Sequence, residues 1–303
     1  MLLTAILVIG GCASPQKPDY TRFQKSAELA QGEPSETPLN ILFVSPGPVD
    51  VRGVYNPDDN IGGNGMLYAG DAGAGGMLAQ VLIHAAISSS AQDKKLAEQQ
   101  KQANKILEPI QDLITKIDTT MLEHESPHYR FVTTAPDDAV LVVRSQPIFF
   151  VSQDFTTFSV RNMVEVSTLA APTKKQRGKK KKSTSYENLI EVIGAPVAKG
   201  SELELYRKDD GKELDAIFSD LYRISLELLI ADFQDKYATG TPQVSFRFTQ
   251  GEHSRFERGN VLQSDCNRTL IRNLRGWLIS FNTPQDPQKS CVEPEAATHI
   301  TTL

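Results

Sequence analysis

The chain has 303 residues, 40 % hydrophobic and 23 % charged, which is enough apolar material to bury a substantial core in one or two domains. A formal charge of −5 argues against nucleic acid as a partner. No internal segment is apolar over the roughly 20 residues that a bilayer-spanning helix needs.

In chain order, MLLTAILVI (1–9) is an apolar run of signal-peptide length, too short to span a membrane. Gly10 and Gly11 follow, then Cys12 and a polar, proline-containing stretch. Small side chains let an extended backbone enter a narrow peptidase site, and a cysteine after the cut supplies a thiol for acylation. The order Ile9-Gly10-Gly11-Cys12 resembles the lipobox of bacterial lipoproteins, although no Lys or Arg precedes the apolar run. The resemblance covers the first dozen residues. It implies a signal peptide over 1–11, lipidation at Cys12 and a partner in the membrane. Ala13 stands where an Asp favours inner-membrane retention, so the expectation is the outer membrane, facing the periplasm. With Cys12 lipidated, Cys266 and Cys291 remain as an even pair in an oxidising compartment, and a disulfide between them is expected.

Residues 12–38 read as the lipidated cysteine and a flexible tether, because this composition cannot fold alone. Residues 39–240 read as one α+β domain. It opens on the apolar strand LNILFVS (39–45). The glycine-rich run between Gly62 and Gly76 leads into a helix starting near Gly75 and continuing to Pro109. A second helix begins at Pro109, with Ile110, Leu113, Ile114 and Ile117 on one face. AVLVVRSQPIFFVS (139–152) and TFSVRNMVEVSTL (157–169) form a hairpin about QDFT, and 187–197 is a third strand. Asp210 and Glu213 have capping-box spacing and open a long helix reaching Tyr237. Residues 241–282 read as a separate small meander or SH3-like module, and 283–303 as a polar tail. The fold class expected is therefore α+β: an antiparallel sheet with long helices, plus a small C-terminal all-β module.

No catalytic residue, cofactor or metal site is assigned. His124 and His128 are four apart beside Glu123 and Glu125, but Pro127 disfavours the helix that would align them, and zinc needs three or four converging ligands. GDAGAGGM lacks the Gly-Lys-Ser/Thr ending of a phosphate loop, and no serine sits in G-x-S-x-G. Gly75 and Ala79 suit close helix packing, hence self-association through the glycine-rich helix, while Gln80 and His84 read as a satisfied polar pair there. Lys174, Lys175, Arg177, Lys179, Lys180, Lys181 and Lys182 form a basic run in a loop, a solvated turn or a patch for anionic surfaces. Six arginines between 247 and 275 outnumber three acids, which suits an acidic envelope protein or cell-wall glycan. The function expected is binding in envelope assembly or maintenance. The competing classes are a periplasmic hydrolase built from scattered residues and a solute-binding module.

Overall fold

Three long segments rich in β-branched and aromatic residues form the centre of the molecule. In the computed structural model they are β5 (Leu141–Val151), β6 (Phe158–Thr168) and β7 (Ser183–Ile193). The structure describes residues 23–25, 38–54, 97–135, 141–168, 183–197, 202–237, 241–251 and 253–283. The expected hairpin is present, with β5 and β6 antiparallel from Leu141↔Thr168 to Val151↔Phe158. β7 is antiparallel to β6 and ends where Gly194-Ala195-Pro196 follows, since proline cannot donate to a ladder.

On the β5 side, β2 (Leu39–Phe43) and β3 (Asp50–Gly53) run parallel to β5, one after the other. Pro46-Gly47-Pro48 separates them, a sequence that cannot continue a ladder. β4 (Tyr129–Phe131) is parallel to β2 and ends that side of the sheet. The Asn40 carboxamide ties the two together, donating to the Leu141 carbonyl at 3.2 Å and accepting from Arg130 Nε at 2.8 Å.

On the β7 side stand β11 (Leu278–Asn282), β10 (Arg268–Asn273), β9 (His253–Ser264) and β8 (Gln243–Gln250), in that order. β11 is parallel to β7, through Leu278↔Ile190, Ile279↔Glu191 and Ser280↔Val192. A short β1 (Gln24–Lys25) pairs with β7 at Glu187 and Tyr186, ahead of β11. The sheet thus has eleven strands, mixed in direction.

These features correct the expected fold class. The chain is mostly β, with one mixed sheet in place of an antiparallel sheet flanked by long helices. The C-terminal strands are not a separate module, because β11 extends the central sheet and Leu270 and Leu278 join the main core. The helix expected from Pro109 is a 3-10 stretch (Asn104–Ile110), four α-helical residues (Gln111–Ile114) and another 3-10 turn (Thr119–Leu122). Asp118 stops it: extended at φ −128°, its carboxylate accepts from the Thr120 amide at 2.8 Å, which caps the next turn instead of continuing the last.

One long helix, α1 (Lys212–Phe233), lies across β6 and β7. Its buried residues Leu214, Phe218, Leu221, Tyr222, Leu226, Leu229 and Ile230 share one helical face turned to the sheet. The expected capping box is not formed. Asp209 and Asp210 are left-handed, the N-cap is Gly211 at φ 90°, and Asp210 pairs with Lys116 Nζ at 2.8 Å instead. Phe149 and Phe218 stack at 4.3 Å between sheet and helix.

The opposite face of the sheet is covered by the sheet itself. β8 and β9 roll back, so that Phe248 stacks on Phe281 at 4.4 Å over Ile193, Ile271 and Ile279. Gln250 Nε2 donates to Ser159 Oγ at 2.8 Å, and the Gly251 amide to Thr157 Oγ1 at 3.1 Å, fastening the hairpin tip to β6.

Candidate functional site

Burying a charge is costly unless it is paired, so each buried ionisable group here tests whether charge holds the fold or serves a reaction. Glu191 points from β7 toward the rolled hairpin and is 1 % exposed. Its Oε1 accepts from Arg255 Nη1 at 2.7 Å and from Arg161 Nε at 3.0 Å, and Arg255 also reaches Glu257 at 2.8 Å. Burial alone pushes the Glu191 carboxyl up, but Arg255 and Arg161 together hold it down at about 2. Their guanidinium carbons lie over the Phe248 and Phe150 rings at 5.5 and 4.6 Å. This cluster clamps hairpin to sheet and leaves no carboxylate facing solvent.

Beneath α1, Ser145 Oγ bonds Asn162 Oδ1 at 2.8 Å and the Tyr222 hydroxyl at 2.9 Å, and Asn162 Nδ2 donates to Ser225 Oγ at 3.1 Å. All four side chains are buried and mutually satisfied, which fixes the register of helix on sheet. At the end of α1, Asp232 accepts from the Tyr186 hydroxyl at 2.7 Å and pairs with Arg272. Burial foremost, then the Asp232 charge, raises the Tyr186 phenol well above its usual range. Here the N-terminal segment docks. Phe23 packs edge-on against Tyr186 under the Arg272 guanidinium, and Lys25 Nζ donates to the Asp232 carbonyl at 2.9 Å.

The segment containing His124 and His128 lies in an open depression lined by Glu123 to Pro127 and Tyr129 to Phe131. It is not helical, and His128 is exposed. His124 is fully engaged, with Nδ1 donating to the Leu122 carbonyl at 3.0 Å and Nε2 accepting from the Tyr129 hydroxyl. Burial first pushes the Tyr129 phenol up to about 12. Among the described residues, no three His, Cys, Asp or Glu side chains converge as metal ligands do.

The arginines of the C-terminal strands divide into two classes, a division their spacing alone does not reveal. Arg255, Arg268 and Arg272 are drawn inward, to Glu191, to the Ser280 and Ile193 carbonyls, and to Asp232. Arg247, Arg258 and Arg275 are exposed. The register Gln243↔Asn260, Ser245↔Arg258 and Arg247↔Phe256 places these six side chains on one face of the hairpin. Phe256 is 57 % exposed, with the Arg247 guanidinium carbon 5.6 Å from its ring centroid. The strip runs into a second depression lined by Phe23, Gln243, Asn260, Asn273, Leu274, Arg275 and Gly276, where Leu274 is 55 % exposed. No acidic side chain of the described residues of β8 and β9 shares this face, since Glu257 turns inward to Arg255.

Of the residues singled out in the sequence, Cys12, Cys291 and the basic run from Lys174 to Lys182 lie outside the described residues, as do Gly75, Ala79, Gln80 and His84. The basic run falls between β6 and β7. Cys266, in the turn between β9 and β10, is disulfide-bonded. Sequence reading missed Glu191 and the Ser145–Asn162–Tyr222 network. Isolated polar residues inside apolar strands are the signal that points to both. No helix among the described residues is long and apolar enough to cross a membrane. No family model, curated protein or solved structure matches the chain.

Proposed function

We propose that the chain is a lipid-anchored envelope protein, held at the outer membrane through Cys12 and facing the periplasm, that acts by binding in envelope assembly or maintenance. Its contact surface is the outward strip of Arg247, Phe256 and Arg258, continued by Arg275 and Leu274. The observation that carries this reading is the division of the arginines. Inside the fold Arg255 and Arg272 are paired with carboxylates and Arg268 with carbonyls, while Arg247, Arg258 and Arg275 stand exposed. Arg247 lies over the uncovered Phe256 ring, and no acid of the described residues of β8 and β9 shares that face. Arginine and aromatic side chains are the types that dominate binding energy at protein interfaces, and a basic strip selects an acidic partner. A hydrolase is less well supported, because His124 has both ring nitrogens engaged and Glu191 is sealed between two arginines.

Two measurements test the proposal. Cys12→Ser moves the protein out of the membrane fraction or leaves it unprocessed; normal processing with membrane retention refutes the anchor. A photo-crosslinking residue at position 256 captures a discrete envelope partner in intact cells, and one at the distant exposed Val44 does not. Equal yields from both positions, or none from 256, refute the surface.

A further inference from the structure

β8 ends the sheet, and among the described residues no strand pairs with its outer edge. An exposed strand edge is a template for another chain, and proteins commonly blunt it with brevity, proline, lysine or a bulge. The far end of the sheet follows that rule, since β4 has only three residues. β8 does not. QVSFRFTQ contains neither proline nor lysine, and its pairing with β9 runs without a bulge from Gln243↔Asn260 to Gln250↔His253.

The direction of the edge groups follows from the register. A two-residue turn closes on a hydrogen-bonded pair, here Gln250 and His253, and such pairs alternate along an antiparallel ladder. Val244 with Gly259 is then a bonded pair, while Ser245 and Arg258 are not. The Arg258 carbonyl accordingly faces β10, where it accepts from the Leu274 amide at 3.2 Å. The N–H and C=O groups of Gln243, Ser245 and Arg247 therefore point away from β9, into the open edge. Only the Gln250 end is fastened to β6, so the Gln243–Arg247 half is the accessible part.

We propose that this half of β8 takes up an extended segment of a partner protein as an additional strand, in which acidic and apolar residues alternate. The inference rests on the outward strip being the contact surface and specifies how the surface is used. Successive residues of an added strand project to opposite faces. One face meets Arg247 and Arg258, which call for carboxylates. The other meets Val244, 46 % exposed, and the half-buried Phe246, which call for aliphatic side chains. Main-chain bonds along the edge give affinity, and the two faces give selectivity.

The test uses the mature protein and a capped, fluorescently labelled peptide alternating glutamate and valine, followed by anisotropy. The expected result is saturable binding with a Kd below about 1 mM, and no binding of the matching lysine–valine peptide. Ser245→Pro removes one outward N–H that β9 does not use, and proline is tolerated on sheet edges. It should lower affinity about tenfold, equivalent to ~1.4 kcal/mol, with the unfolding midpoint retained. Should that variant unfold, the change is made in the ligand: N-methylation of alternate peptide amides must abolish binding in one of the two registers. Arg247→Glu with Arg258→Glu should abolish binding to the glutamate peptide. No binding by the unaltered protein overturns the proposal. So does charge-reversal sensitivity without any effect of proline or N-methylation, which would leave the strip as an electrostatic contact only. Preferred binding to anionic phospholipid vesicles, insensitive to Ser245→Pro, overturns it in favour of a lipid surface. A partner crosslinked at position 256 whose capture is unaffected by Ser245→Pro keeps the surface and rejects the strand-addition mode.

Discussion

Glu191→Gln is the sharpest perturbation of the clamp between the hairpin and the sheet. The ordinary glutamate value of 4.5 is brought to about 2 in the fold, against the opposing effect of burial. A displacement of that size corresponds to about 3 kcal/mol of stability, which falls in the range lost when a buried ion pair is broken. Because the folded-state value lies below the unfolded one, this contribution is fully present above pH 4.5 and is lost as pH falls toward 2. For a domain of this class the neutral-pH change should lower the unfolding temperature by about 6–12 °C. Urea unfolding of the two proteins, followed by the fluorescence of Trp277 and by circular dichroism, measures the gap. It should be widest near neutrality and should narrow as pH falls from about 5 toward 2, because the unfolded-state carboxylate is protonated near 4.5 while the native one holds off until about 2. Glu191→Leu combined with Arg255→Met should recover part of the loss, because both desolvated charges leave together. Coincident midpoints at neutral pH refute the account of the clamp, as does a gap that stays constant on acidification.

Gly251→Ala should destabilise the protein by about 1–3 kcal/mol, since the residue is left-handed at φ 64° and a Cβ would stand 2.6 Å from Ser152 Cβ; an unchanged thermal midpoint would mean that the hairpin tip is not fastened to β6. Thiol titration of the unreduced, denatured protein lacking Cys12 should find none until reduction, then two, because Cys291 is the expected partner of Cys266. Two free thiols before reduction would end the Cys266–Cys291 pairing. Replacing residues 174–182 with a short Gly/Ser turn should leave the unfolding free energy within about 0.5 kcal/mol of the parent, as surface substitutions do. A large loss would give the basic run a structural role.

Local signals in the sequence and long-range ones fared differently. The Leu141–Val151 and Phe158–Thr168 hairpin was legible because alternation and a short polar turn report on neighbours in the chain. The presence of the long helix was legible for the same reason, from apolar residues recurring at a period near 3.6. The start of α1 was not, because Asp210 and Glu213 have the spacing of a cap while the backbone at Asp209 and Asp210 turns left-handed and Lys116, distant in sequence, takes the carboxylate. The C-terminal strands were each identifiable, yet their place in the fold was not. Whether Trp277, Ile279 and Phe281 complete a small barrel or extend an existing sheet depends on β11 lying parallel to β7, a pairing between residues some 90 apart in sequence that no local pattern encodes.

The same limit explains the arginines. Each of the six occupies a strand or turn in which charge is unremarkable, and spacing alone gives Arg255 and Arg258 equal standing. Rolling the hairpin over the sheet separates them: Arg255 turns in to Glu191, and Arg258, three residues later, turns out to solvent. Neutralising the first allows Phe248 and Phe281 to stack beneath the hairpin; leaving the second open gives the outer face its positive charge. The clamp and the proposed contact strip thus lie on opposite faces of one hairpin. Glu191→Gln should therefore lower stability with little direct effect on binding by the outer strip at temperatures where the fold persists, and reversal of Arg258 should do the opposite.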